Sequence, residues 1–158
     1  MTVGPDERFE SAYREFVTFV ERHDLLPAGR DKVCVAYSGG KDASLLAELL
    51  LEHRRRERPD LRIELILALF PRFIYESADP ERRAVVEAAL GHWRDRGLEV
   101  TRVEAGAEWP DALLDGPNPC RRCALEIKPA LLSQQVMRPE NRGAVMCIGL
   151  TLDDALGW

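Results

Sequence analysis

Residues 33–44 read VCVAYSGGKDAS and join three kinds of sequence in a fixed order. The run 33–37 is short, apolar and rich in β-branched residues, which predicts a buried strand. The pair Gly39-Gly40 predicts a tight turn. From 43 to about 57, leucines recur at helical spacing, which predicts a helix with one apolar face. A glycine turn between strand and helix predicts a loop whose amide groups and helix N-terminus converge on an anion.

The polar side chains of this loop are suited to holding phosphate. Lys41 supplies a cation, Ser38 and Ser44 supply hydroxyl donors, and Asp42 can orient the loop or help to hold Mg²⁺. The string matches neither G-x-x-x-x-G-K-[ST] nor G-x-G-x-x-G, so γ-phosphate transfer and dinucleotide binding lack their fingerprints. A plain structural turn is the alternative reading. The phosphate-binding set that we predict is Ser38, Gly39, Gly40, Lys41, Asp42 and Ser44.

Strands and helices alternate along the rest of the chain. Apolar runs predict strands at 33–37, 61–70, 98–103 and 144–149. Helical spacing predicts helices at 6–24, at 43–57, from Asp79 and Pro80 to a glycine cap at Gly97, and around Pro129. This alternation predicts an α/β fold of three α/β/α layers with a parallel, doubly wound sheet, whose ligands bind at the carboxyl ends of the strands.

We expect a single domain over 1–158, with an N-terminal helix and connector at 1–30 and the α/β core at 31–158. The residues at 153–158 predict the start of a new helix, so we expect the core to lack a C-terminal part.

Composition restricts the class of protein. The chain has 158 residues, of which 46% are hydrophobic and 31% charged, as is typical of a globular protein. It has neither an apolar run of about 20 residues nor a signal-peptide pattern, so we expect a cytoplasmic protein without a membrane span. The net charge of −5 argues against a broad polyanion-binding face. Two local basic clusters remain, one at 54–58 and one formed by Arg121 and Arg122 with Lys128. Each can contact phosphates or be a solvated helix face.

Four cysteines are too few for a disulfide scaffold in a chain of this length. Cys120-x-x-Cys123 can point two thiolates to one side of a turn, as an iron–sulfur cluster, Zn²⁺ or a persulfide relay requires. A structural thiol pair or half of a zinc knuckle is the alternative. Cys34 and Cys147 lie in apolar runs, which predicts small core residues.

Asp153 and Asp154 follow the fourth predicted strand. A carboxylate pair at that edge of the sheet can hold Mg²⁺ against phosphates, and helix capping is the alternative role.

The segment 38–44, SGGKDAS, resembles the SGGxDS[ST] signature of the PP-loop ATP pyrophosphatases, with Ala43 where a serine is usual. Further matches resemble the tRNA 2-thiocytidine synthetase and the related tRNA thiolation branch: the N-terminal helix, Pro119 with the CxxC, and Gly149 followed by two aspartates. The branch has a third cysteine well beyond the CxxC. It also has a histidine after the glycine, and this chain has Leu150 and Thr151 at the positions that follow Gly149.

The resemblance implies an ATP-dependent sulfurtransferase that uses ATP and Mg²⁺. It implies adenylation of a substrate carbonyl with release of pyrophosphate, followed by replacement of oxygen by sulfur. The implied catalytic residues are Cys120, Cys123, Lys41 and Asp42. The resemblance implies that Gly149 contacts the nucleotide together with the loop 38–44. It implies that the metal ligands are Cys120, Cys123, Asp153 and Asp154.

The expected partners are a tRNA or a small-molecule substrate, a sulfur-donor protein and a second copy in a homodimer. An amide-forming PP-loop ligase and a nucleotide-binding domain without turnover remain alternatives.

Overall fold

The computed structural model of the chain describes residues 4–69, 80–104, 126 and 128–148. These residues form four α-helices, a short 3₁₀ helix and four β-strands. In chain order the elements are α1 (Pro5–Arg22), β1 (Lys32–Ala36), α2 (Lys41–Arg56), β2 (Arg62–Leu69), α3 (Pro80–Asp95), β3 (Glu99–Glu104), α4 (Lys128–Val136), the 3₁₀ helix (Pro139–Asn141) and β4 (Val145–Ile148). In the described part of the chain, no helix combines the length and the apolar character needed to cross a membrane.

The four strands form one sheet in the order β3-β2-β1-β4, and every pairing is parallel. In the register of the central strands, Val35 lies opposite Leu65 on one side and Cys147 on the other. The chain therefore moves outward from β1 through β2 to β3 and then returns to the far side of β1. The strand order reverses between β1 and β4, which makes this the switch point of a doubly wound sheet.

Helices cover both faces of the sheet, as the alternation of strands and helices predicts. On one face, Val35 and Leu65 pack with Leu50 of α2 and with Leu90 of α3. On the other face, a smaller cluster contains one residue from each of four elements: Cys34, Ile66, Val103 and Leu131. α1 packs outside α2, where the ring of Phe16 meets the imidazole of His53 edge-on at 5.9 Å. The α/β/α arrangement predicted from the sequence is confirmed.

The boundaries of the elements shift by a few residues from their predicted places. β1 ends at Ala36, so Tyr37 belongs to the following connection, although its amide still donates to Ile66 O at 2.9 Å. α2 begins at Lys41 and not at Ala43, because Gly40 in extended conformation is its N-cap. Lys41 and Asp42 thus lie in the first turn of the helix. The predicted end of α3 is confirmed, since Gly97 has φ +77° just beyond it.

Candidate functional site

The connection from β1 to α2 depends on two glycines. Gly39 has φ +77°, a conformation that side chains with a Cβ rarely adopt. Gly40 has φ −78°, but a Cβ added there would lie 3.3 Å from Ser38 Oγ, which is tighter than an ordinary contact. The Ser38 hydroxyl accepts a hydrogen bond from the Gly40 amide at 3.4 Å. The backbone can therefore bend sharply and bring its amides to the surface.

The first turn of α2 presents hydrogen-bond donors. The Ser44 amide donates to Gly40 O at 3.0 Å, and it is the first amide with a carbonyl four residues behind it in the helix. The amides of residues 41–43 precede it and have no such partner. No described side chain caps the helix. Together with the positive end of the helix dipole, these amides form an environment suited to an anion.

The side chains that the sequence singles out stand around this turn. Ser38, Lys41 and Asp42 are exposed, and Ser44 is partly buried behind them. Within the described residues, neither Lys41 nor Asp42 forms an ion pair. The ammonium group of Lys41 is therefore available to an incoming anion.

The turn lies at the switch point of the sheet. Ala36, the last residue of β1, lies opposite Ile66 of β2 and Ile148 of β4. The carboxyl ends of parallel strands meet at one edge, and ligands of open α/β sheets bind where the strand order reverses at that edge. The predicted phosphate-binding set thus stands where a ligand of this fold is expected.

Two further residues support the turn from the core, and neither was assigned a site role from the sequence. Trp93 Nε1 donates to Tyr37 Oη at 2.9 Å, and Tyr37 Oη lies 3.2 Å from Ser44 Oγ. Both aromatic side chains are buried, Tyr37 5% and Trp93 4% exposed. In the sequence, the only local sign of this support was a tyrosine directly before the glycine turn. Trp93 lies 56 positions away from Tyr37 in the chain, so no local pattern joins the two residues.

The arginines at 54–58 contact the protein itself. Arg55 and Arg56 bind Glu52, whose pKa is lowered to about 2 by the hydrogen bond from Arg55 and a further one from Arg56. Arg54 Nη1 donates to Gly97 O at 3.0 Å, and Arg58 Nη2 donates to Arg30 O at 3.1 Å. This cluster therefore ties helices and loops together, which weakens the reading of it as a phosphate contact.

The two cysteines within the described residues are free thiols. Cys34 is buried, and its Sγ lies 3.7 Å from Glu64 Oε2. Burial, followed by the nearby Glu64 carboxylate, raises the pKa of the Cys34 thiol to about 12. Cys147 is partly buried, and burial raises the pKa of its thiol as well. Both fit the predicted role of small core residues.

Five predicted site residues lie outside the described residues: Cys120, Cys123, Gly149, Asp153 and Asp154. Their roles therefore stay predictions. Among the residues that are described, no group of three or more histidine, cysteine, aspartate or glutamate side chains comes together to hold a metal ion. The loop at 38–44 is thus the part of the predicted site that lies within the described residues.

The chain matches no family model and no curated protein. Among solved structures, it is similar to the U34-tRNA thiolase NcsA from Methanococcus maripaludis, determined with its [4Fe-4S] cluster, at 24% identity and a TM-score of 0.66. A protein of the universal stress protein family from Burkholderia pseudomallei shares 17% identity at a TM-score of 0.35, over 78% of this chain and 98% of that chain.

The match to NcsA covers 94% of this chain and 48% of that chain. At this identity the likeness shows the fold alone, and the chain spans about half the length of its structural neighbour. The protein therefore has the parallel α/β fold that a tRNA thiolase uses in one half of its chain.

Proposed function

We propose that this chain binds ATP with Mg²⁺ through the loop 38–44 and uses it to adenylate a carbonyl oxygen of a tRNA base, which sulfur then replaces. The observation that carries the proposal is a glycine turn at the switch point of the sheet, where the amides of residues 41–43 and the ammonium group of Lys41 have no partner among the described residues. The fold shared with NcsA, a tRNA thiolase, favours tRNA over other substrates of this reaction type.

The loop suits a pyrophosphate group better than a neutral ligand. The amides of residues 41–43 and the hydroxyls of Ser38 and Ser44 are donors, and Lys41 adds a positive charge. The backbone amides are fixed by the helix before the ligand arrives, so they stabilise charge that develops on a departing diphosphate without further reorganisation.

The proposed chemistry has two displacements. First, the carbonyl oxygen of the base forms a bond to the α-phosphorus of ATP, and the bond from that phosphorus to the bridging oxygen of pyrophosphate breaks. Sulfur at the oxidation level of sulfide then forms a bond to the carbonyl carbon of the base, the bond from that carbon to oxygen breaks, and AMP leaves with the former carbonyl oxygen. Lys41 and the loop amides hold the pyrophosphate in the first step.

Mg²⁺ would neutralise part of the phosphate charge, and oxygen ligands are the type that it prefers. Asp42 stands in the first turn beside the predicted phosphate position, exposed and without an ion pair among the described residues. Its placement therefore fits a role in holding the ion, and we propose Asp153 and Asp154 as further ligands from the segment that follows β4.

We propose that Cys120 and Cys123 carry the sulfur or hold the centre that carries it. The support is their spacing, which suits an iron–sulfur cluster or Zn²⁺, and the [4Fe-4S] cluster named for NcsA. Both cysteines lie outside the described residues.

Exchange of labelled pyrophosphate into ATP in the presence of tRNA tests the first displacement. We expect exchange to depend on tRNA and to fall by about 10-fold or more in Lys41→Ala, because a hydrogen-bonded charge is lost from the phosphate site. Arg14→Ala is a matched control, since it removes an exposed cation from the outer side of α1. Equal losses in the two variants would contradict the role of Lys41.

Thiolated tRNA, detected by its retardation in a gel that contains an organomercurial, tests the second displacement. We expect it to disappear in Cys120→Ala while pyrophosphate exchange remains. Thiolation that persists in this variant would refute the sulfur role of Cys120. Exchange together with an amide product would favour the ligase alternative, and ATP binding without AMP formation would favour a domain without turnover.

A further inference from the structure

Three side chains form a continuous line of polar contacts from the core to the turn. Trp93 Nε1 lies 2.9 Å from Tyr37 Oη, which lies 3.2 Å from Ser44 Oγ. The rings of Trp93 and Tyr37 meet edge-on, with centroids 6.1 Å apart. The line begins in α3 and ends in the first turn of α2, beside the predicted phosphate position.

The chemistry of the first donor determines the direction of the hydrogen bonds. An indole N–H can only donate, so Tyr37 Oη accepts from Trp93. The proton of Tyr37 is then directed to Ser44 Oγ. In the opposite arrangement the phenol oxygen would accept twice, and its own buried proton would need a partner elsewhere, which is unfavourable. The arrangement that gives every proton a partner therefore has Tyr37 as the donor to Ser44, although the 3.2 Å contact is compatible with either direction.

This direction determines what the Ser44 hydroxyl can do. A serine inside a helix often donates its proton back to the carbonyl four residues earlier, which here is Gly40 O. With Tyr37 donating to its oxygen, Ser44 still has its own proton to give, and a chain of hydrogen bonds polarises each following donor. The Ser44 hydroxyl becomes a stronger donor for an anion.

We propose that Tyr37 and Trp93 are positioning residues that orient the Ser44 hydroxyl as a donor to a phosphate oxygen held in the loop 38–44. The inference rests on the proposed function in one respect, the identity of the anion as a phosphate group. Neither aromatic residue reaches the ligand, and both act through Ser44. Their burial keeps water from replacing the hydrogen bond between Trp93 and Tyr37.

Calorimetric titration of the full chain with MgATP, and separately with magnesium pyrophosphate, tests this proposal. Tyr37→Phe removes the hydroxyl and keeps the ring, so we expect affinity for both ligands to fall about 3- to 10-fold. Tyr13→Phe is the matched control, because Tyr13 is buried and its hydroxyl has no hydrogen-bond partner within the described residues. Its affinity should equal that of the unmodified chain.

A double variant separates orientation of Ser44 from a general structural effect. We expect Ser44→Ala to lose affinity by about 10-fold, as for a hydrogen bond to a charged group, and Tyr37→Phe to add nothing in that background. An equal further loss on adding Tyr37→Phe would overturn the proposal. Unchanged affinity in Tyr37→Phe alone would also overturn it, while leaving the proposed function intact.

The indole N–H resonance of Trp93 gives a readout that needs no ligand. In ¹⁵N-labelled protein, we expect Ser44→Ala to shift this resonance, because the loss of Ser44 weakens the hydrogen bonds behind it. A resonance that stays at its original position would overturn the relay even if Tyr37→Phe failed to fold. Failure of the unmodified chain to bind either ligand, with the shift present, would instead refute the proposed function.

Discussion

Lys32 Nζ lies 2.7 Å from Glu64 Oε2 across β1 and β2, and each side chain is only 6% exposed. Glu64 Oε1 also accepts from Thr101 Oγ1 at 2.5 Å, and Lys32 lies 3.4 Å from Glu99 Oε2. Burial opposes the charge on Glu64, but the hydrogen bonds from Lys32 and Thr101 outweigh it and lower the pKa of the carboxyl. Burial likewise opposes the charge on Lys32, whose pKa is nevertheless raised by Glu64. Three strands thus share one buried charge network.

Removing one member of this pair should destabilise the protein strongly. In Lys32→Met the Glu64 carboxylate stays buried without its counter-charge, so we expect the free energy of unfolding to fall by about 3–5 kcal/mol. Urea denaturation at pH 7 measures the change. The double variant Lys32→Met with Glu64→Leu should recover most of the loss, because an apolar pair needs no compensation. A double variant as unstable as the single one would show that the charges themselves are not responsible.

His53 should make stability depend on pH. The side chain is 7% exposed, and its Nδ1 has no hydrogen-bond partner among the described residues. Burial lowers the pKa of the imidazole from 6.5, opposed by the charge of Glu57 and aided by that of Arg58. As the pH falls through 6.5 the unfolded chain takes up a proton before the folded chain does, so the free energy of unfolding decreases below that pH.

Chemical denaturation at pH 7.5 and at about pH 5.5 checks this dependence. We expect His53→Leu to abolish the decrease, since the neutral side chain cannot titrate. His23→Gln is the control, because His23 is exposed at the end of α1. If the dependence survived in His53→Leu, another group would be its source.

Replacing Gly39 by alanine should lower the stability of the protein, whereas replacing Gly91 by alanine should raise it. Gly39 has φ +77°, where an alanine is strained by about 1–2 kcal/mol. Gly91 lies inside α3, and apart from its neighbours in the helix no atom of a described residue lies within 4 Å of an added Cβ, so an alanine there should stabilise the helix by up to about 1 kcal/mol. Thermal unfolding of both variants provides the comparison. Equal effects would mean that the turn tolerates an ordinary side chain.

Cys34 should resist alkylation in the native protein. Its thiol is buried and its pKa is raised to about 12, so very little of the reactive thiolate is present at pH 8. Iodoacetamide labelling followed by peptide mass spectrometry should find this cysteine unmodified until urea is added. Rapid labelling without denaturant would show that the face of the sheet covered by α4 opens readily.

Much of the fold could be predicted because its signals are local in the chain. Four apolar runs and their intervening helical patterns indicated all four strands and their parallel pairing, and the structure confirms the doubly wound sheet. The predicted start of α2 at residue 43 was wrong by two residues. The helix begins at Lys41, because Gly40 in extended conformation is its N-cap. A helix boundary depends on dihedral angles that composition does not express.

The buried charge network could not be predicted in the same way. Lys32 lay just outside the predicted strand, and Glu64 stood as a single carboxylate in the apolar run 61–70. Taken alone, each charged residue is unfavourable in a buried strand, because the opposite charge that stabilises it lies on the neighbouring strand. The register that brings them together is a property of the sheet.

The residues of the glycine turn followed from sequence alone, because a turn, its helix start and its polar side chains lie within seven consecutive positions. Only the tertiary structure decided which core residues stand behind that turn. Trp93 reaches Tyr37 because α3 packs on the same face of the sheet as α2. Periodicity within an element reports which side is apolar, whereas a hydrogen bond between layers depends on how distant segments pack against one another.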